Sequence, residues 1–110
     1  MRDGELILAD LPVSGQGWKR RPALVLRQLP GYGDYLVCGL SSQLHQLILG
    51  FGEQLNPTPT NGLAKPSVVR LEFLFVVPEE DIAGIIGRIP PDLHATLLQR
   101  LANYLTTPQP

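Results

Sequence analysis

The stretch Ser67-Val68-Val69-Arg70-Leu71-Glu72-Phe73-Leu74-Phe75-Val76-Val77 decides how this chain folds. It is dense in β-branched and aromatic residues, and successive side chains of a strand point to opposite faces. Strict alternation places Val69, Leu71, Phe73, Phe75 and Val77 on one face and Arg70 with Glu72 on the other. The reading is a long strand with an apolar face for the core, where both phenylalanines pack, and a polar face free for chemistry.

Outward from it, Asn56 to Lys65 holds Pro57, Pro59, Asn61 and Gly62 and reads as a long loop. Residues 44–55 suit strand or helix at Leu47, Ile48 and Leu49, but Gly50 and Gly52 oppose a long helix, so a short strand is expected. Further upstream, residues 5–11 are apolar on both faces, as an inner strand is, and end at Pro12. Residues 13–20 carry two glycines and no periodic pattern, which predicts a mobile surface loop. Residues 21–28, entered through Pro22, form a second strand, residues 29–34 a turn, and residues 35–40 a third strand, making an antiparallel meander.

Downstream, Pro78-Glu79-Glu80-Asp81 fits the acidic first turn of a short helix, residues 84–89 a short strand, and Pro90-Pro91-Asp92 the start of a final helix. Leu93, Leu97, Leu101 and Leu105 recur every fourth residue there, with Leu98 and Ala102 widening the stripe, until Pro108 stops it. The fold expected is mainly β: a small antiparallel, barrel-like sheet with a C-terminal helix packed on it, one domain over residues 1–110.

Composition narrows the function. Of 110 residues 44% are hydrophobic and 17% charged, which supplies a core and argues against a disordered chain. The lone Cys38 excludes an intrachain disulfide, and with only His45 and His94 beside it in the sequence a standard zinc site is excluded too. Cys38 reads as a buried small hydrophobe, and His94 falls on the polar side of the last helix; neither histidine is assigned a role. The start, Met1-Arg2-Asp3-Gly4-Glu5, carries two acids where a secretory leader has a basic segment. The longest apolar run, Phe73 to Val77, is far short of the roughly 20 residues that cross a bilayer. The expectation is a soluble cytoplasmic protein with no membrane contact. A net charge of −1 rules out a general polyanion binder, yet four of the nine basic residues, Lys19, Arg20, Arg21 and Arg27, are clustered. Nucleic-acid contact, where it occurs, is local.

No phosphate loop, dinucleotide fingerprint, nucleophile elbow, HExxH or CxxC is present. What remains are polar residues at strand ends: Arg20 and Arg21, Ser41 and Ser42, and Arg70 with Glu72. Arg70 and Glu72, two residues apart on one strand, have Cα atoms about 7 Å apart and can flank one phosphate. That suits RNA cleavage without a metal, in which the ribose 2′-hydroxyl attacks its own phosphate and needs a base and charge stabilisation. Arginine offers a fixed fork of donors to two oxygens and is permanently charged, which also makes it a poor proton donor. The plainer reading of the same pair is a solvated ion pair of little energetic weight. Lys19 and Arg20 follow Gln16 and Trp18 on one segment, a mixture of cations and an aromatic that suits single-stranded RNA; Trp18 equally suits a loop anchor packed on the barrel. Ser41 and Ser42 also suit a strand-end turn.

With these residues in view, the sequence resembles the PemK/MazF family, the toxin half of bacterial toxin and antitoxin pairs. The resemblance spans residues 4–105 and rests on Gly4-Glu5, Gly15, Arg21-Pro22-Ala23-Leu24-Val25, residues 37–41, residues 67–72 and Ile86-Gly87-Arg88-Ile89. It implies an SH3-like barrel, a homodimer whose groove binds single-stranded RNA, and cofactor-free endoribonuclease activity leaving a cyclic phosphate. A cognate antitoxin tail would block that groove. Arg21 matches the arginine before proline that the family uses at the scissile phosphate, and Ser41 the position of a catalytic threonine. Arg70 and Glu72 match an arginine and acid pair with acid and base roles, glutamate replacing aspartate. Beside these, the candidate RNA contacts from the basic segment and the strand end are Gln16, Trp18, Lys19, Arg20 and Ser42. Departures stand out at four residues: Gln16 and Gly17 replace a polar or acidic pair in a loop one residue shorter than the family's, and Phe73 and Phe75 stand where relatives commonly carry glutamine and arginine facing substrate. The alternative they leave open is a catalytically degenerate barrel that binds RNA or a protein tail without cleavage.

Overall fold

A computed structural model describes residues 2–13, 15 and 17–110. The candidate RNA contact Gln16 lies outside the described residues. Six strands and one helix follow in chain order: β1 (Glu5–Val13), β2 (Gly17–Gln28), β3 (Tyr35–Ser41), β4 (Glu53–Leu55), β5 (Ser67–Val77), β6 (Ile82–Arg88) and α1 (Pro91–Thr106). They form one antiparallel sheet in the order β4-β5-β3-β2-β1-β6, curled into a half-barrel, with the expected β1-β2-β3 meander at its centre.

Several boundaries differ from expectation. Pro12 does not end the first strand, and within the expected loop Val13 and Gly17 to Arg20 are strand: β1 and β2 pair as far as Val13 and Gly17, with Pro12 opposite Trp18. Proline is tolerated at that point because β6 pairs with β1 only as far as Ala9, which leaves this end of the hairpin arm as a sheet edge. Residues 44–55 hold a single 3-10 turn at Leu44–Gln46 before the three-residue β4, since the two glycines interrupt anything longer. Glu79–Asp81 is likewise a 3-10 turn.

Apolar side chains lie on both faces of the sheet, which is why β1 reads as apolar throughout. On the first face Leu6, Leu24, Leu26, Cys38, Leu40, Val69 and Leu71 pack beneath α1, where Leu97 and Leu101 are buried and Leu93 and Leu98 half-buried. Each buried leucine contributes about 1.5–3 kcal/mol of hydrophobic stabilisation. Leu105, expected in the same stripe, is exposed. His94 is not on the polar side: its Nε2 lies 2.9 Å from the carbonyl of Leu26, and its ring packs over Gly4. On the second face Ile7, Ala9, Leu11, Ala23, Val25, Tyr35, Val37 and Val77 form a separate cluster, with Phe75 and Ile82 against it.

The uniform alternation expected of β5 fails at its middle. Cys38 pairs with Leu74 but its neighbour Gly39 pairs with Arg70, so Leu71, Glu72 and Phe73 have no partner on β3. A bulge of this kind shifts the register and reverses which residues face which side. Val69 and Leu71 therefore pack on the helix face, while Phe75 and Val77 pack on the second face. The five odd-numbered residues do not share one core face. The loop after β4 closes the half-barrel at its far seam, where Arg88 N–H donates to the Thr60 carbonyl and Asn61, buried, receives N–H donors from Thr58 and Leu63.

Candidate active site

Arg21, Ser41, Arg70 and Glu72 reach the second face from three adjacent strands. Residues paired across a ladder share a face, so the row Ile7, Ala23, Gly39, Arg70 crosses β1, β2, β3 and β5 on one side. One step along, Arg21 pairs with Ala9, and Ser41 pairs with Val68. Ser41 is thus diagonal to Arg70, roughly 7–8 Å between Cα atoms. Two strand spacings and a two-residue step put Arg21 about 12 Å from Arg70, a gap that two arginine side chains can span.

Arg70 and Glu72 are an ion pair: Arg70 Nε donates to Glu72 Oε2 at 2.9 Å, with about three-tenths of each side chain exposed. That contact occupies one guanidinium N–H and leaves both terminal amino groups open. Ser41 Oγ accepts the Gln43 N–H at 3.1 Å, which fixes the oxygen and leaves its hydroxyl proton to donate. Ser42 is exposed in the bend that follows. Arg21 is exposed, and among the described residues no carboxylate pairs with it.

The basic segment divides between the two faces. Lys19 pairs with the buried Leu11 and so shares the side of Arg21, while the intervening Arg20 pairs opposite Asp10 and forms an ion pair with it at 3.2 Å. Trp18 alternates with Lys19 and is 70% exposed. It is no anchor packed on the barrel, and neither Trp18 nor Arg20 joins the cluster around Arg70; strand alternation on the hairpin arm turns them the other way. Phe73 is the residue that alternation misplaces. It was expected in the core and lies instead on the site face, half-buried, with the Arg70 guanidinium carbon 5.1 Å from its ring centroid. Nothing in the sequence near residue 73 marks the bulge that puts it there.

The site is an open surface. A cavity of about 600 Å³ lies elsewhere, at the barrel seam between Leu55, Asn61, Arg88 and Pro90, and is lined by none of Arg21, Ser41, Arg70 and Glu72. Cys38, behind the site on the helix face, is inert: burial first, then the charge of Glu72, pushes its thiol pKa up to about 12. Among the described residues no three of His, Cys, Asp and Glu gather to hold a metal ion, and no helix is long and apolar enough to cross a membrane.

Residues 2–105 match the family of PemK-like, MazF-like toxins of type II toxin-antitoxin systems. The chain belongs to that family. Its members are endoribonucleases, and this chain is a toxin of that kind by family. The fold agrees. The Mycobacterium tuberculosis toxin MazF-mt6 superposes with a TM-score of 0.69 at 21% identity, covering 96% of this chain and 99% of that one. An endoribonuclease solved in complex with its cognate antitoxin, from a mycobacterial species, gives 0.71 at 17% identity, covering 100% and 99%. No curated protein matches by sequence. The PemK/MazF half-barrel and C-terminal helix are therefore the architecture seen here, with the bulged β5 carrying the arginine and glutamate pair.

Proposed function

We propose that the second face cleaves single-stranded RNA by intramolecular transfer at phosphorus, without a metal. The observation that carries this reading is the convergence of Arg21, Ser41 and the Arg70 and Glu72 ion pair on one open face from three strands. Glu72 takes the proton of the ribose 2′-hydroxyl as its oxygen bonds to phosphorus. Arg70, through its terminal amino groups, and Arg21 stabilise the charge that builds on the non-bridging oxygens, and the Ser41 hydroxyl donates to one of them. The bond to the 5′-oxygen breaks, that oxygen takes a proton from solvent, and a 2′,3′-cyclic phosphate remains. Neither guanidinium supplies that proton, being charged at any working pH. Lys19, on the same face, binds a flanking phosphate.

Family membership, and a structural neighbour solved with its cognate antitoxin, support three further parts of the reading. Two copies pair, the protein acts in the cytoplasm, and an antitoxin segment covers the RNA face. On exposure alone, Tyr104 and Leu105 at the end of α1 offer apolar area for contact between copies. The test incubates the purified protein with RNA in chelator and looks for cyclic-phosphate ends. Glu72→Gln should slow cleavage about 10²–10⁴-fold, the usual worth of a general base. Parental rates in Glu72→Gln, Arg70→Ala and Arg21→Ala would remove the site from the reaction, and RNA binding with no cleavage by the parent would establish the non-catalytic alternative.

A further inference from the structure

Arg70 is not held by Glu72 alone. Its guanidinium carbon lies 5.1 Å from the centroid of the Phe73 ring, within the range where a cation is drawn to an aromatic face. The ring is itself held on two sides. Beneath it is Gly39, directly opposite Arg70 on β3, where an added Cβ would come within 2.6 Å of Phe73 Cδ2 and 3.2 Å of Cε2. Only a residue with no side chain leaves room for the ring. Beside it Phe75 meets the ring edge-on, with centroids 4.4 Å apart and planes at 78°, and Phe75 is packed against the apolar cluster of the second face. The bulge at residues 71–73 is what turns the ring to this side.

We propose that Phe73 is a positioning residue for Arg70: a shelf, seated on Gly39 and braced by Phe75, that fixes the guanidinium plane so that its two terminal amino groups meet the phosphate. This rests on the reading of Arg70 as a phosphate-charge stabiliser. The physical reason is preorganisation. An arginine carries large rotamer freedom, and a donor already in place when charge develops needs no reorganisation at that moment. Glu72 restrains only the Nε edge, leaving rotation about that contact, and the ring removes it. The aromatic face also tolerates the charge with no competing acceptor, so the terminal amino groups stay free.

Phe73→Leu keeps apolar volume and removes the ring. It should lower kcat about fivefold, equivalent to about 1 kcal/mol, with KM within twofold, while Phe73→Tyr keeps parental kcat. In an Arg70→Ala background Phe73→Leu should change nothing further. Gly39→Ala, pushing the ring from below, should reproduce Phe73→Leu and serves in its place if that variant does not fold. Independently of RNA, the Arg70 Nε–H proton resonance should lie upfield from ring shielding and move downfield in Phe73→Leu. An equal loss of kcat with and without Arg70 would show a merely structural role and overturn the proposal, as would an Nε–H resonance that does not move. Should the parent cleave no RNA, the functional reading fails while the resonance still decides the shelf.

Discussion

Replacing Arg21 by alanine separates function from folding more cleanly than any other change on this face. Its side chain is exposed on β2 and no described carboxylate pairs with it, so its loss should alter stability by no more than about 0.5 kcal/mol. Its loss from the reaction is another matter. Removing one preorganised donor to a developing oxyanion costs about 10²–10³ in kcat. Binding should report it as well. Lys19, Arg21 and Arg70 lie on the same face, and each phosphate neutralised on a single strand contributes a slope of about −0.7 to log affinity against log salt. Three such contacts give a slope of about −2, and Arg21→Ala should bring it to about −1.4. The assay is cleavage of a short fluorogenic RNA in chelator, with affinity measured across a series of potassium chloride concentrations and melting followed on the same samples. An unchanged melting temperature with parental kcat and an unchanged slope would refute the placement of Arg21 at the scissile phosphate.

Leu97→Ala, which empties a fully buried position under α1, should destabilise by about 2–5 kcal/mol in urea unfolding, and a loss under 1 would show that the helix is not docked on the sheet. At Gly87 an added Cβ would overlap the Thr60 carbonyl oxygen and lie 2.5 Å from that of Asn61, so Gly87→Ala should cost about 1–3 kcal/mol in a thermal melt. No shift in that melt would mean that the loop after β4 does not close against β6. Cys38, whose thiol is pushed from 9.0 up to about 12, should resist alkylation at pH 8 in the native protein and react quickly in denaturant. The sign of the linkage follows: the folded form holds its proton where the unfolded form has lost it, so the contribution of Cys38 is whole below about pH 9 and declines as pH rises toward 12. Rapid native labelling at pH 8 would contradict the burial.

Much of this architecture can be read from residue order. The meander, the long strand from Ser67, the buried Cys38 and the apolar face of the last helix follow from local periodicity, because the period of side-chain direction is a property of a single segment. So does the pairing of Arg70 with Glu72, two residues apart on one strand. The resemblance of Arg21-Pro22 and Ser41 to a family pattern adds candidate partners but no distances between them. What residue order leaves open is set by contacts between segments. Whether Pro12 ends a strand depends on what lies across the hairpin, and it lies opposite Trp18. Which face Trp18 and Arg20 take depends on the register of that arm. The side on which Phe73 stands depends on three residues of β5 that find no partner on β3, a mismatch defined only when both strands are in place. Each strand's own alternation is local, whereas its phase against the next strand is a tertiary quantity. That phase is what puts an aromatic ring beneath Arg70 and gathers Arg21, Ser41 and Glu72 on the same side of the sheet.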